Sequence, residues 1–213
     1  MKEAVKRSIS GIVYIAIMWI GTSFSNLTFH TLFVIISVIC IREMLELTKG
    51  KKKILPFLYI SIPLIIIHLI GNENERRKII LFMFILTWTF DTFAYITGVP
   101  FGKHKIIEKV SPKKSWEGFI GGTIFTFLAT WLIYNINLLN TYFFTHLDSV
   151  QIIIITVLIP ITATIGDLIE SYYKRSAGLK DSGNFIPGHG GMLDRMDAFM
   201  ITIPTIFIIT KIL

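Results

Sequence analysis

Seven apolar runs, at roughly 8–25, 27–47, 54–71, 78–98, 116–135, 150–172 and 192–212, divide the chain between short polar breaks. Each is near the ~20 residues that an α-helix needs to cross ~30 Å of hydrocarbon. The expected fold is therefore all-α: an integral membrane protein, a polytopic helical bundle with about seven transmembrane helices. The break from Ser23 to Asn26 is very short, so the first two runs form either a tight hairpin or one long broken helix. Composition agrees, since 16% of residues are charged against ~25% in a typical soluble domain. No repeat, low-complexity segment or linker divides the 213 residues, which predicts one transmembrane domain, 1–213. Lys2, Lys6 and Arg7 precede the first run as in a signal peptide, but no A-x-A-like site follows, and a retained span is expected. The single cysteine, Cys40, lies inside an apolar run and reads as a small buried residue.

Basic residues orient the bundle. Of 21 Lys and Arg, 17 fall on one side: three before the first run, then Arg42 to Lys53, Lys103 to Lys114 and Lys174 to Arg195. Arg76, Arg77, Lys78 and Lys211 fall on the other. Positive charge concentrates on cytoplasmic loops, so the first side is cytoplasmic, with the N-terminus inside and the C-terminus outside. The formal charge of +7 sits between apolar runs and not on one soluble face, which predicts no nucleic-acid partner. His30, His68 and His146 are scattered and H-E-x-x-H is absent, so no zinc site is expected.

Three polar features stand out on the cytoplasmic side. Asp91 interrupts WTFDTFAYITG, and a carboxylate at membrane depth costs ~2.5–3.5 kcal/mol on insertion scales, so it should face protein or water. Tyr95 follows it on the same helix face. An interhelical hydrogen bond and a functional role are both open for Asp91. Next comes a basic loop, in which Gly98, Pro100 and Gly102 are expected to break the helix, Ser111-Pro112 to turn the chain, and Trp116 to sit at the membrane interface. The third feature is Gly166 to Asp197, GDLIESYYKRSAGLKDSGNFIPGHGGMLDRMD. Asp167, Glu170, Ser171 and Lys174 recur at helical spacing as one polar stripe, which is either a solvated helix end or a cavity lining. Asp194 and Asp197, three apart, share a face that Arg195 does not. Carboxylates from two helices offer the hard oxygen ligands that Mg²⁺ prefers. Lys174, Arg175, Lys180 and Arg195 between them suit phosphate. The turn Ile186 to Gly191 allows close backbone approach to a ligand, though it is not a P-loop. A basic loop and an acidic block on one side suit a nucleotide triphosphate with its metal.

The run Ser171-x-x-Lys174-Arg175-x₄-Lys180-Asp181-x-Gly183-x₂-Ile186-Pro187-x-His189-Gly190-Gly191-x₂-Asp194-Arg195-x-Asp197 resembles the signature of phosphatidate cytidylyltransferases, or CDP-diacylglycerol synthases. Asp91-x-x-Ala94-Tyr95-x-x-Gly98, Phe101 to Lys105 and Ser111 to Gly118 are similar to the same family, which often has Thr at position 115. The resemblance covers Asp91 to Asp197, about half the chain; the N-terminal half matches only as a hydrophobic pattern. It divides the domain into N-terminal helices 1–90 and catalytic helices and loops 91–213. It implies CTP and phosphatidic acid as substrates, one or two Mg²⁺ ions as cofactor, and a bacterial-type inner (plasma) membrane as location, with the site on the cytoplasmic side. It implies Asp167, Asp194 and Asp197 as metal ligands, with Asp181 as a further candidate. Lys174, Arg175, Lys180 and Arg195 would contact phosphates. Ser111, Lys113, Lys114 and Ser115, with Asp91 and His189, complete the implied substrate-binding set. A homodimer is the expected assembly. A CDP-alcohol phosphotransferase is the rival enzyme, but its D-G-x-x-A-R and G-x₃-D-x₃-D pattern is absent. A transporter using Asp91 and Asp167 would more readily show broken helices in matched halves, and no such symmetry is visible.

Overall fold

The computed structural model describes residues 2–49, 54–72, 74–136, 138–139 and 147–212. Lys51, Lys52, Lys53 and His146 lie outside them. The described residues form seven helices: α1 Lys2–Ser23, α2 Asn26–Leu47, α3 Ile54–Ile70, α4 Asn74–Phe101, α5 Trp116–Asn135, α6 Ser149–Ser176 and α7 Leu193–Ile212. Among them there is no strand; pairing is limited to isolated bridges, Lys105 with Ser115 and Ile186 with Gly190. α2, α6, the Arg77–Phe101 part of α4, and α5 are long and apolar enough to cross a membrane. α1 contributes a shorter apolar stretch, Ser8–Ser23, and α3 spans 17 residues. α7 has the length but carries Asp194, Arg195, Asp197 and Lys211. This is a helical membrane protein.

The first two runs are a hairpin. Ser25 is extended (φ −156°, ψ 166°) and its hydroxyl accepts the Thr28 N–H in a capping box that starts α2 afresh. Leu32 then packs on Gly21 of α1. Later pairs also run antiparallel: Thr130 of α5 meets Thr156 of α6 at 3.0 Å, and Thr162 of α6 meets Thr202 of α7 at 2.8 Å. Phe29, Phe33, Phe82, Phe84 and Phe199 are fully buried, with Phe84 centred 4.4 Å from Phe199. Outward positions such as Ile12, Val38, Ile65 and Ile153 stay apolar and exposed, as a lipid-facing surface requires.

Gly98 and Pro100 do not break α4, which runs to Phe101. Pro100 stands one residue from the helix end, so the hydrogen bond it forfeits and the crowding by its ring fall in the last turn. Gly98 instead serves the α4–α5 crossing: a Cβ on Gly118 would lie 3.1 Å from the Gly98 Cα and 2.6 Å from the Ala94 carbonyl oxygen. Small residues let membrane helices approach this closely. The same device joins α6 and α7, since a Cβ on Gly166 would collide with the Asp197 carbonyl oxygen. Gly166→Ala is expected to lower stability by about 1–3 kcal/mol through overpacking. A reduced melting temperature of the detergent-purified protein checks this.

Candidate active site

The α6–α7 crossing places Asp167 beside Asp197, one residue beyond the glycine on α6. Tyr59 of α3 locks the crossing by donating its hydroxyl to Gly166 O at 3.0 Å and Asp197 O at 3.4 Å. Asp167, Glu170 and Asp197 bring carboxylate oxygens within 4.8 Å of one another. Three hard oxygen donors from two helices form a set that can hold a divalent cation. The sequence pattern places Glu170 on the polar stripe, but not among the expected ligands. It is 0% exposed and forms an ion pair with Lys174 one turn on.

Lys174 is shared. Its ammonium also donates to Asp194 Oδ1 at 2.6 Å, so it bridges α6 and α7 between two acids. The other oxygen of Asp194 faces the turn and accepts from Ser182 N at 2.9 Å, Ser182 Oγ at 3.0 Å and Gly191 N at 2.8 Å. Asp194 thus stands at the site with its carboxylate engaged by the turn. Lys114, from the basic loop, reaches Asp167 Oδ2 at 2.5 Å and Ser171 donates to Asp167 Oδ1 at 3.1 Å. This ion pair joins the two polar blocks directly.

Lys114, Asp167, Lys174, Asp194 and Asp197 line a cavity of about 410 Å³. Asp91 and Tyr95 form its α4 wall, and Ser111, Lys113, Lys114 and Ser115 its loop wall. Asp91 thus faces a polar cavity, as its cost in lipid demands. Ser111 to Lys114 is the expected turn, with Lys114 N donating to Ser111 O at 3.2 Å. Buried Ser115 caps α5 by accepting from Gly118 N at 3.2 Å, a task that any hydroxyl can do. Arg195 lines the cavity too, although the helical spacing puts it on another face from Asp194 and Asp197. Its Nη2 donates to His189 O at 2.8 Å, and its buried Nε has no hydrogen-bond partner.

Lys180, His189 and Arg175 lie outside this lining. Lys180 and His189 border a neighbouring groove, which shares Asp181 and Arg195 with the cavity. His189 Nδ1 hydrogen-bonds Ser10 Oγ of α1 at 2.8 Å. Exposed Arg175 donates to Leu179 O at 3.0 Å, past the end of α6.

The Gly-rich turn has a defined geometry. Pro187 and Gly188 (φ +79°) occupy the central positions of a turn closed by His189 N donating to Ile186 O at 2.9 Å. Pro then Gly with positive φ is the type II arrangement. Glu43 of α2, which the sequence analysis passes over, holds the turn to α7. At 6% exposure it accepts from Ser182 Oγ at 2.8 Å, Met192 N at 3.0 Å and Leu193 N at 2.8 Å. A carboxylate there satisfies free amides at the α7 N-terminus and favours its dipole.

The chain is similar in sequence to known proteins over most of its length. The cytidylyltransferase family profile matches residues 52–213. The phosphatidate cytidylyltransferase of Rickettsia typhi is 33% identical over 205 residues, covering 94% of this chain and 89% of that protein. Those of Haemophilus influenzae and Staphylococcus epidermidis are 37% and 38% identical over 161 and 138 residues. These alignments cover 76% and 65% of this chain, and 55% and 51% of those proteins. These similarities define a membrane-embedded nucleotidyltransferase. The chain belongs to the cytidylyltransferase family.

Glu43→Ala strands two buried amides, Met192 N and Leu193 N, at ~1–3 kcal/mol each, while Ser182 Oγ keeps Asp194 as acceptor. The variant is expected to lose at least about 2 kcal/mol of stability and most of its activity, with Glu43→Gln intermediate. Thermal melts beside a turnover assay measure both.

Proposed function

We infer that this protein transfers CMP from CTP to phosphatidic acid, giving CDP-diacylglycerol and pyrophosphate. An oxygen of the lipid phosphate attacks the α-phosphorus of CTP, and the bond from that phosphorus to the β-phosphate bridging oxygen breaks. The observation that carries this reading is the convergence of Asp167, Glu170 and Asp197 beside Lys114, Lys174 and Arg195. It is an anion-accepting cavity with its own cation-binding acids, in a chain similar to named phosphatidate cytidylyltransferases.

A phosphate monoester is already nucleophilic, so the protein needs no strong base. Its work is positioning and charge neutralisation. Lys174, held by Glu170 and Asp194, presents a fixed positive charge to the cavity. Arg195, anchored through Nη2 to His189 O, brings its positive charge to the cavity wall. Lys113 and Lys114 approach from the loop, and Asp91 and Tyr95 close the lipid-side wall. Lys180 and His189 would extend phosphate contact into the adjoining groove. Magnesium fits the donor set of Asp167, Glu170 and Asp197, with Asp194 and Asp181 at the edge, and would neutralise charge on the nucleotide phosphates. The basic loops favour the cytoplasmic side for this end of the bundle, and the proposed location is a bacterial-type plasma membrane, with the site where CTP is available. A homodimer is the proposed assembly.

Purified protein with Mg²⁺, CTP and phosphatidic acid should release pyrophosphate, and chelation of the metal should stop it. Asp197→Asn and Asp194→Asn should each lower turnover at least about a hundredfold with unchanged helical circular dichroism. Absence of a CTP-dependent product with every phosphatidic acid tried rejects the reading.

A further inference from the structure

The end of the bundle away from the acids holds a second cavity of about 810 Å³, between the α1–α2 turn, the start of α4, and Leu138 and Leu139 beyond α5. Arg77 lines it at 5% exposure, and among the described residues neither its Nε nor its Nη1 has a hydrogen-bond partner. Thr22 lines it at 0% exposure, and its hydroxyl also has no partner among the described residues. Arg77 and Asp91 lie about 21 Å apart along α4, at ~1.5 Å per residue, so this cavity is distinct from the acid site.

Buried polar groups are normally hydrogen-bonded, and a buried guanidinium without partners is costly. Its N–H groups are charged donors that suit phosphate oxygens. A hydroxyl on the facing helix is a third donor of the right kind. The cavity sits where apolar helices end, which is headgroup level, and Trp19 in its wall suits that level. Arg77 also belongs to Arg76-Arg77-Lys78, a basic cluster at the end where such residues are few. Positive-inside bias does not account for it.

We propose that this second cavity binds a phosphate group, carried by the headgroup of an anionic phospholipid from the leaflet opposite the acid site. Arg77 donates to the phosphate oxygens, and the Thr22 hydroxyl adds a further donor. This makes the bundle a two-ended lipid protein, with one phosphate site at each membrane surface. The site stands independently of the transfer reaction.

Native mass spectrometry of the detergent-purified chain, titrated with phosphatidylglycerol, phosphatidylcholine or inorganic phosphate, tests it. Wild type should retain phosphatidylglycerol over phosphatidylcholine. Arg77→Gln should weaken that adduct about tenfold, and Asp197→Asn should leave it unchanged. Thr22→Val, a near-isosteric change, should weaken it in the same direction and covers the case in which Arg77→Gln misfolds. Pyrophosphate release by Arg77→Gln should stay within about twofold of wild type, since distant sites act independently. Displacement of the lipid by inorganic phosphate supports the phosphate site and assigns it a soluble occupant. Equal phosphatidylglycerol binding by wild type, Arg77→Gln and Thr22→Val overturns the proposal, as does equal retention of phosphatidylcholine.

Discussion

Gly166 lets α6 and α7 meet backbone to backbone, and the acid cluster exists only because they do. Any side chain there would push against the Asp197 carbonyl. The helices would part, and Asp167 and Glu170 would no longer share space with Asp197. Tyr59 holds the same carbonyl from α3, so three helices fix one point. The Thr162–Thr202 contact extends the lock by a turn. A site built this way rests on rigid helices, while its loops supply the adaptable cations.

The cluster is also electrostatically constrained. Like carboxylates within 4.8 Å of one another repel strongly where water is scarce. The protein answers with Lys114 against Asp167 and Lys174 between Glu170 and Asp194. Each lysine steadies an acid and keeps positive charge at the cavity. A metal ion held by Asp167 would compete with Lys114 for the same carboxylate.

The apolar runs were readable because hydrocarbon thickness imposes their length; each helix begins and ends within about six residues of its run. The polar stripe of α6 was readable from helical spacing: Asp167 and Lys174 line a common cavity, while Glu170 is fully buried. What sequence spacing cannot express is a contact between distant helices. Gly98 looked like a helix breaker, yet its purpose is to admit α5. Glu43 looked like one charge beside Arg42 at the end of an apolar run, and nothing local signals that it meets residues nearly 150 positions away. Asp194 and Asp197 share a helix face, but Asp194 stands in the first turn and is drawn toward the loop amides, leaving the third place in the cluster to Glu170. Arg77 read as a loop charge, although packing buries it.

Glu43 carries a consequence for biogenesis. It accepts hydrogen bonds from Leu193, 150 residues later in the chain. At ~5–20 residues per second, a ribosome needs roughly 8–30 seconds to deliver that partner. Until then α2 lies in the bilayer with a carboxylate at its end that has no helix to cap. Insertion of the last helix therefore completes the anchor, the turn and the acid cluster together. A nascent chain caught before that moment has most of its spans and none of its chemistry.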